Sequence, residues 1–144
     1  MATIERFEDL ECWQKARELC QFIYELTCNE KFSKDFTLVN QIRGSSGSSM
    51  DNISEGFDRG GNKEFKQFLS ISRGSLGEVK SQLYRAFDRK YITQEEFNHG
   101  YDLATQTGKL TTGLINYLSK SSLKGIKFKA ETPLTENREP RTEN

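Results

Sequence analysis

A chain of 144 residues is long enough for one domain that buries about two-thirds of the surface its unfolded form exposes. Its aromatic content of 11% excludes a disordered chain, and its balance of 21 basic against 21 acidic residues argues against strong nucleic-acid binding through net charge. No stretch approaches the roughly 18 apolar residues of a membrane span, and the first residues lack the pattern of a secretory leader. We therefore expect one cytoplasmic domain without membrane contact.

Apolar residues recur at steps of three, four or seven along the first two predicted helices, which cover about residues 9–29 and 36–59. Such spacing places side chains along one face of a helix. Asp9 is the expected cap of the first helix, and the pair Gly60 and Gly61 is expected to end the second. The residues predicted to face the core are Leu10, Trp13, Cys20, Ile23, Tyr24 and Thr27 in the first helix, and Phe36, Val39, Ile42, Ser46, Met50, Ile53 and Phe57 in the second.

The third and fourth predicted helices cover about residues 62–90 and 93–120. Asn62 is the expected N-cap of the third helix. The fourth has the clearest start, because Thr93 followed three residues later by Glu96 is the pattern of a capping box. The predicted core residues are Phe65, Phe68, Leu69, Ser72, Leu76, Val79, Leu83 and Phe87, then Phe97, Tyr101, Ala104, Leu110, Leu114, Tyr117 and Leu118.

Short connections between long helices force consecutive helices to turn back on each other. No alternating apolar and polar run of strand length competes with this interpretation. The sequence therefore predicts an all-α fold, an antiparallel up-down-up-down four-helix bundle over residues 1–121. Residues 122–144 have the composition of a mobile C-terminal tail.

The stretch Gly44–Ser49 is unusual inside a predicted helix. Each glycine costs about 1 kcal/mol relative to alanine, and serine competes for backbone hydrogen bonds. The favoured interpretation is close approach of a neighbouring helix, with a local kink as the alternative. A phosphate-binding loop would need a lysine after Gly47, where Ser48 stands instead.

The sequence contains no recognisable catalytic group. His99 is the only histidine, and no nucleophile accompanies it in the sequence. The cysteines Cys12, Cys20 and Cys28 stand eight residues apart, a spacing that suits neither a disulfide framework nor a metal site. We therefore predict no enzymatic activity, no catalytic residue, no metal and no cofactor.

Polar residues are predicted to meet between the second and third helices. Glu55 and Glu78 raise the question of a metal site, but a di-metal bundle requires Glu-x-x-His pairs on two helices, and only Glu96 with His99 has that spacing. A structural polar network is the better interpretation, within one chain or between chains. Its predicted members are Asn52, Glu55, Arg59, Glu78 and Gln82.

Five segments of the sequence follow the order and spacing of one known family. They are Phe7–Ala16, Gln41–Arg43, Asn52–Gly60, Asn62–Leu69 and Arg73–Glu78. Together they resemble the bacterial four-helix-bundle family called S23 ribosomal protein, which takes a second name from open reading frames in the intervening sequences of 23S ribosomal RNA genes. The resemblance extends over about residues 5–120. The chain departs from it at Gly44–Met50, where relatives typically carry an alanine-rich stretch with a proline.

This resemblance implies a non-enzymatic four-helix bundle that assembles as a homopentameric barrel. A related branch is the accessory variability determinant of diversity-generating retroelements, which binds nucleic acid through a basic surface and partners a reverse transcriptase. The expected partners are therefore other copies of the chain, RNA or DNA, and a protein such as a reverse transcriptase.

The third predicted helix carries the excess of basic residues. Residues 62–90 contain seven basic and three acidic side chains. A solvated helix face would account for this, and so would contact with phosphates, which a fivefold assembly would repeat as a positive band. The predicted nucleic-acid-binding residues are Lys66, Arg73, Lys80, Arg85 and Arg89.

Two hypotheses of function follow. In the first, the chain is an oligomeric accessory protein that contacts phosphates without reading sequence. In the second, it is a protein–protein interaction scaffold that does not bind nucleic acid.

Overall fold

The computed structural model describes residues 4–121. Over this range it contains four α-helices, α1 (Glu11–Thr27), α2 (Phe36–Arg59), α3 (Asn62–Asp88) and α4 (Gln94–Lys120), and two short 3-10 turns, Phe7–Asp9 and Phe32–Lys34. Helix α1 packs against α2 and α4, and α3 packs against the same two helices. The predicted all-α four-helix bundle is confirmed. The predicted tail over 122–144 lies outside the described residues.

Hydrogen bonds between neighbouring helices show their antiparallel direction. The Ser72 hydroxyl donates to the Ser49 carbonyl at 2.7 Å, and nearer the other end of α3 Arg85 donates to Gln41 at 2.9 Å. Residue numbers therefore increase along α3 in the direction in which they decrease along α2, as an antiparallel hairpin requires. No α-helix among residues 4–121 has the length and apolar content of a membrane span.

Two of the predicted helix ends are confirmed and two are wrong. The amide of Thr93 donates to the Glu96 carboxylate and the amide of Glu96 to the Thr93 hydroxyl, which completes the capping box. Gly60 ends α2 with a φ of 88°, a left-handed conformation that glycine adopts without steric cost. Asp9 does not cap α1, because it belongs to a 3-10 turn and α1 begins two residues later. Asn62 is the first helical residue of α3 rather than its cap.

The buried apolar residues form two clusters, one toward each end of the bundle. Two residues predicted for the core are exposed instead. Phe36 is 74% exposed because it is the first residue of α2, where Leu38 and Val39 take the buried positions. Tyr24 is 52% exposed and lies with its ring 4.6 Å from the Arg43 guanidinium.

Helix α2 is continuous through the glycine and serine stretch. Ser45, Ser46 and Ser49 are buried, and each hydroxyl donates to a carbonyl of its own helix at 2.7–2.9 Å. An alanine Cβ at Gly44 or Gly47 would meet nothing within 4 Å. The close approach therefore depends on the serines, and the helix is not broken at the glycines.

The Asp35 carboxylate links the α1–α2 connection to the α3–α4 connection at one end of the bundle. Its carboxylate accepts from the Leu38 amide at 3.2 Å as N-cap of α2, from the Tyr91 hydroxyl at 2.8 Å and from Arg89 at 2.8 Å. These donors, the Tyr91 hydroxyl first, lower the pKa of Asp35 from its ordinary value.

Replacing Asp35 with alanine should lower the free energy of unfolding by about 1–2 kcal/mol at neutral pH, because the helix loses its cap. Since the pKa of Asp35 is lower in the folded state, its contribution is present above the unfolded pKa of 3.8 and is lost as pH falls through the folded value. Urea denaturation of the wild type and of Asp35→Ala at pH 7 and at pH 2.5 measures the difference between their free energies of unfolding. Asp51→Ala, at an exposed carboxylate, is the control. A difference that stays undiminished at the lower pH would contradict the role of the ionised carboxylate.

Candidate functional site

The five predicted nucleic-acid-binding residues lie on two sides of α3. Arg73 donates to the Thr112 hydroxyl of α4 at 3.1 Å, and the Lys80 ammonium lies 4.8 Å from the Tyr101 ring of α4. Toward α2, by contrast, Arg85 donates to Gln41, and Arg89 forms an ion pair of 2.8 Å with Asp35.

Helical geometry explains this division. Steps of seven return within about 20° of the same direction, so Lys66, Arg73 and Lys80 share the side of α3 that faces α4. Arg85 follows Lys80 by five residues, which is a rotation of about 140° around the helix axis. Arg85 therefore lies on the side of α3 that faces α2. Lys66 is half-buried and lies about 10 Å before Arg73 along the helix. The structure therefore does not bring the five predicted residues together.

A shallow groove runs between α3 and α4 where Arg73 and Lys80 lie. Its volume is about 440 Å³. We call it the α3/α4 groove, and its lining residues are Arg73, Leu76, Gly77 and Lys80 from α3 and Ala104, Thr105, Gly108, Lys109 and Thr112 from α4. The groove is open because small residues form its floor: a Cβ at Gly77 would meet nothing within 4 Å, and one at Gly108 would meet only Leu76, at 3.8 Å.

The α3/α4 groove is positively charged and contains no carboxylate in its lining. Across residues 4–121, none of Arg73, Lys80 and Lys109 forms an ion pair, whereas Arg59 pairs with Glu55 at 2.8 Å. Clustered cations without a counter-charge repel each other, and an anion in the groove would relieve that repulsion. The groove can therefore hold phosphate groups, with the hydroxyls of its two threonines as further donors.

Lys109 is the member of this set that sequence analysis missed. It lies on α4, far in sequence from the basic helix, and it lines the same groove as Arg73 and Lys80. The sequence predicted an antiparallel hairpin of α3 and α4 but not the register between the two helices, so it gave no signal that assigned Lys109 to the groove.

The predicted polar network divides into separate groups along α2 and α3. Asn52 donates to the carbonyl and the hydroxyl of Ser48 at 2.9 Å, and Ser75 donates to the same hydroxyl at 2.8 Å. Glu78 accepts from Ser45 at 3.3 Å. The serines, which the predicted network omitted, are thus the residues that link the two helices.

The other predicted members do not join this link. Glu55 and Arg59 form an exposed pair one turn apart on α2, and the Arg59 guanidinium lies 5.1 Å from the Phe68 ring. Gln82 is buried, and its Oε1 has no hydrogen-bond partner within the described range.

The histidine and the cysteines occupy ordinary structural positions. His99 is exposed and packs edge-on against Phe22 with ring centroids 4.6 Å apart. Burial raises the pKa of the Cys12 thiol to about 12 and that of Cys20 to about 11, so both are protonated at neutral pH. Within residues 4–121, no group of three or more His, Cys, Asp or Glu side chains is placed to hold a metal ion.

Comparisons with known proteins agree with the helical architecture. The model of the family described as 23S rRNA-intervening sequence protein matches residues 8–113. A crystal structure at 1.70 Å, of a protein with unknown function from the S23 ribosomal protein family of Bacteroides thetaiotaomicron, has a TM-score of 0.66 and 26% sequence identity. The match covers 72% of this chain and 97% of that one. Comparison with curated proteins gives no match.

Proposed function

Because this chain belongs to the 23S rRNA-intervening sequence protein family, we propose that it is a non-enzymatic, oligomeric accessory protein that binds nucleic acid through the α3/α4 groove. The observation that carries this proposal is the placement of Arg73, Lys80 and Lys109 around one groove without a paired carboxylate. Phosphates of a nucleic-acid backbone are anions that such a set can neutralise. Binding of this kind depends on charge and not on sequence.

The zero net charge of the chain does not oppose this proposal. Formal charge describes the whole sequence, whereas a strand of nucleic acid responds to the local field of the surface that it touches. Arg89 is neutralised by Asp35 and Arg59 by Glu55, and the three groove cations are not neutralised in this way. The α3/α4 groove is therefore the basic surface that this proposal assigns to the phosphates.

The affinity of the wild-type chain for RNA or DNA should fall steeply with salt. Three phosphate contacts per chain predict a loss of about 20- to 40-fold between about 50 and 200 mM salt, because each contact releases condensed counterions. The triple variant Arg73→Glu, Lys80→Glu, Lys109→Glu should lose at least this factor at low salt and show a flatter salt dependence. Filter binding or fluorescence anisotropy measures both quantities.

The matched control changes the same charge elsewhere. Lys31, Lys34 and Lys63 are exposed and do not line the groove, so their replacement by glutamate alters net charge equally. Circular dichroism confirms that both triple variants fold. An equal loss of binding in the two would contradict the α3/α4 groove as the site, and wild-type binding that is absent even at low salt would contradict nucleic-acid binding itself.

The second candidate function is a protein–protein interaction scaffold. It is favoured by the exposure of large apolar side chains, notably Phe36 at 74% and Ile71 at 50%, because such groups are common at protein interfaces. This function predicts no affinity for nucleic acid at any salt concentration.

In both proposals the chain assembles as a homopentamer, and light scattering coupled to gel filtration tests this assembly. A monomer at micromolar concentration would contradict it.

A further inference from the structure

We propose that the ligand of the α3/α4 groove is single-stranded nucleic acid, with its phosphates on the groove cations and one base stacked on the ring of Tyr84. This inference rests on the proposed nucleic-acid binding and names the ligand class. The observation behind it is the exposed ring of Tyr84, which lies on the same side of α3 as Arg73 and Lys80.

Tyr84 lies just beyond Lys80, the last residue of α3 that lines the α3/α4 groove. It follows Lys80 by four residues, so it lies one turn further along the same side of α3. The residue is 51% exposed although its ring packs against Phe97. A ring in this position is accessible to a ligand that already touches Lys80.

Neighbouring rings hold Tyr84 in place. Its centroid lies 4.8 Å from that of Phe97 and 6.1 Å from that of Tyr101, and the Lys80 ammonium lies 4.8 Å from the Tyr101 ring. A ring fixed by its neighbours loses little conformational entropy when a base stacks on it. The aromatic group and the cation are therefore arranged as one surface before any ligand arrives.

Cations combined with an exposed ring favour single strands over duplexes. A positively charged groove can follow either backbone, but the bases inside a duplex stack on each other, whereas each base of an unpaired strand can present its face to an aromatic side chain. From Arg73 to Tyr84 the helix advances about 16 Å, which corresponds to about five nucleotides at the 3.4 Å spacing of a stacked strand. A short single strand can thus touch the cations and the ring together.

The test compares a single-stranded RNA of about twelve nucleotides with the duplex of the same sequence, by fluorescence anisotropy at low salt. Tyr84→Leu should weaken single-strand binding at least fivefold and change duplex binding less than twofold, because stacking on one base is lost and the cations remain. The matched control is Tyr24→Leu on α1, since Tyr24 is equally exposed at 52% and lies on a different helix. It should change neither affinity.

A second variant avoids any effect of truncation on folding. In Tyr84→Trp the indole emission should be quenched strongly by the single strand and much less by the duplex, since bases inside the duplex cannot stack on it. If the groove triple variant loses binding while Tyr84→Leu binds as the wild type and Tyr84→Trp shows no selective quenching, the inference is wrong and the proposed function stands. If the wild type binds neither strand form at low salt, both are wrong.

Discussion

Replacing Phe65 with alanine should lower the free energy of unfolding by about 3–5 kcal/mol, a large part of the total stability of a small domain. The side chain is fully buried near the start of α3, and its ring meets that of Phe57 edge-on with centroids 5.9 Å apart. Removing it loses the transfer free energy of the ring and leaves a cavity at the α2–α3 hairpin. Urea denaturation followed by circular dichroism measures the change.

The matched control is Phe36→Ala, the same substitution at the first residue of α2. Phe36 is 74% exposed, so we expect a change below about 0.5 kcal/mol. A cost close to that of Phe65→Ala would mean that Phe36 is covered in solution, contrary to its position on the single chain. A small effect at Phe65 would contradict the described core.

The contrast between these two phenylalanines shows how far periodicity can predict burial. Both stand on apolar repeats of steps three and four, and the repeats were sufficient to predict four helices, their order and most of the core. Periodicity assigns a face to each residue but not the point where a helix first meets its neighbours. Phe36 precedes that point on α2, and only the packing of Leu38 and Val39 reveals it.

The candidate site was predictable in part for a similar reason. The seven-residue spacing placed Arg73 and Lys80 on one side of α3, which the structure shows. The residues that neutralise Arg89 or complete the α3/α4 groove come from elsewhere in the fold, the N-cap Asp35 of α2 in one case and Lys109 of α4 in the other. Such contacts depend on the register between helices, which a pattern within one helix does not contain.

Replacing Gly56 with alanine should destabilise the fold by about 2–3 kcal/mol, although alanine is the better helix former by about 1 kcal/mol. An added Cβ would lie 2.6 Å from Phe68 Cβ, 3.0 Å from Phe65 Cδ1 and 3.4 Å from the Phe65 carbonyl oxygen. The first contact is with an atom fixed to the α3 backbone, so no change of rotamer can relieve it. The two helices would have to separate where α2 and α3 approach before the turn at Gly60.

The same substitution at Gly47 supplies the opposite expectation. Its added Cβ would meet nothing within 4 Å, so Gly47→Ala should raise the free energy of unfolding by about 0.5–1 kcal/mol through helix propensity alone. Chemical denaturation of both variants under identical conditions therefore separates steric contact from propensity within one helix. Stabilisation by Gly56→Ala would show that α2 and α3 can separate freely, and it would contradict the close approach. Destabilisation by Gly47→Ala would instead indicate a neighbour that the single chain lacks, as assembly with other copies would provide.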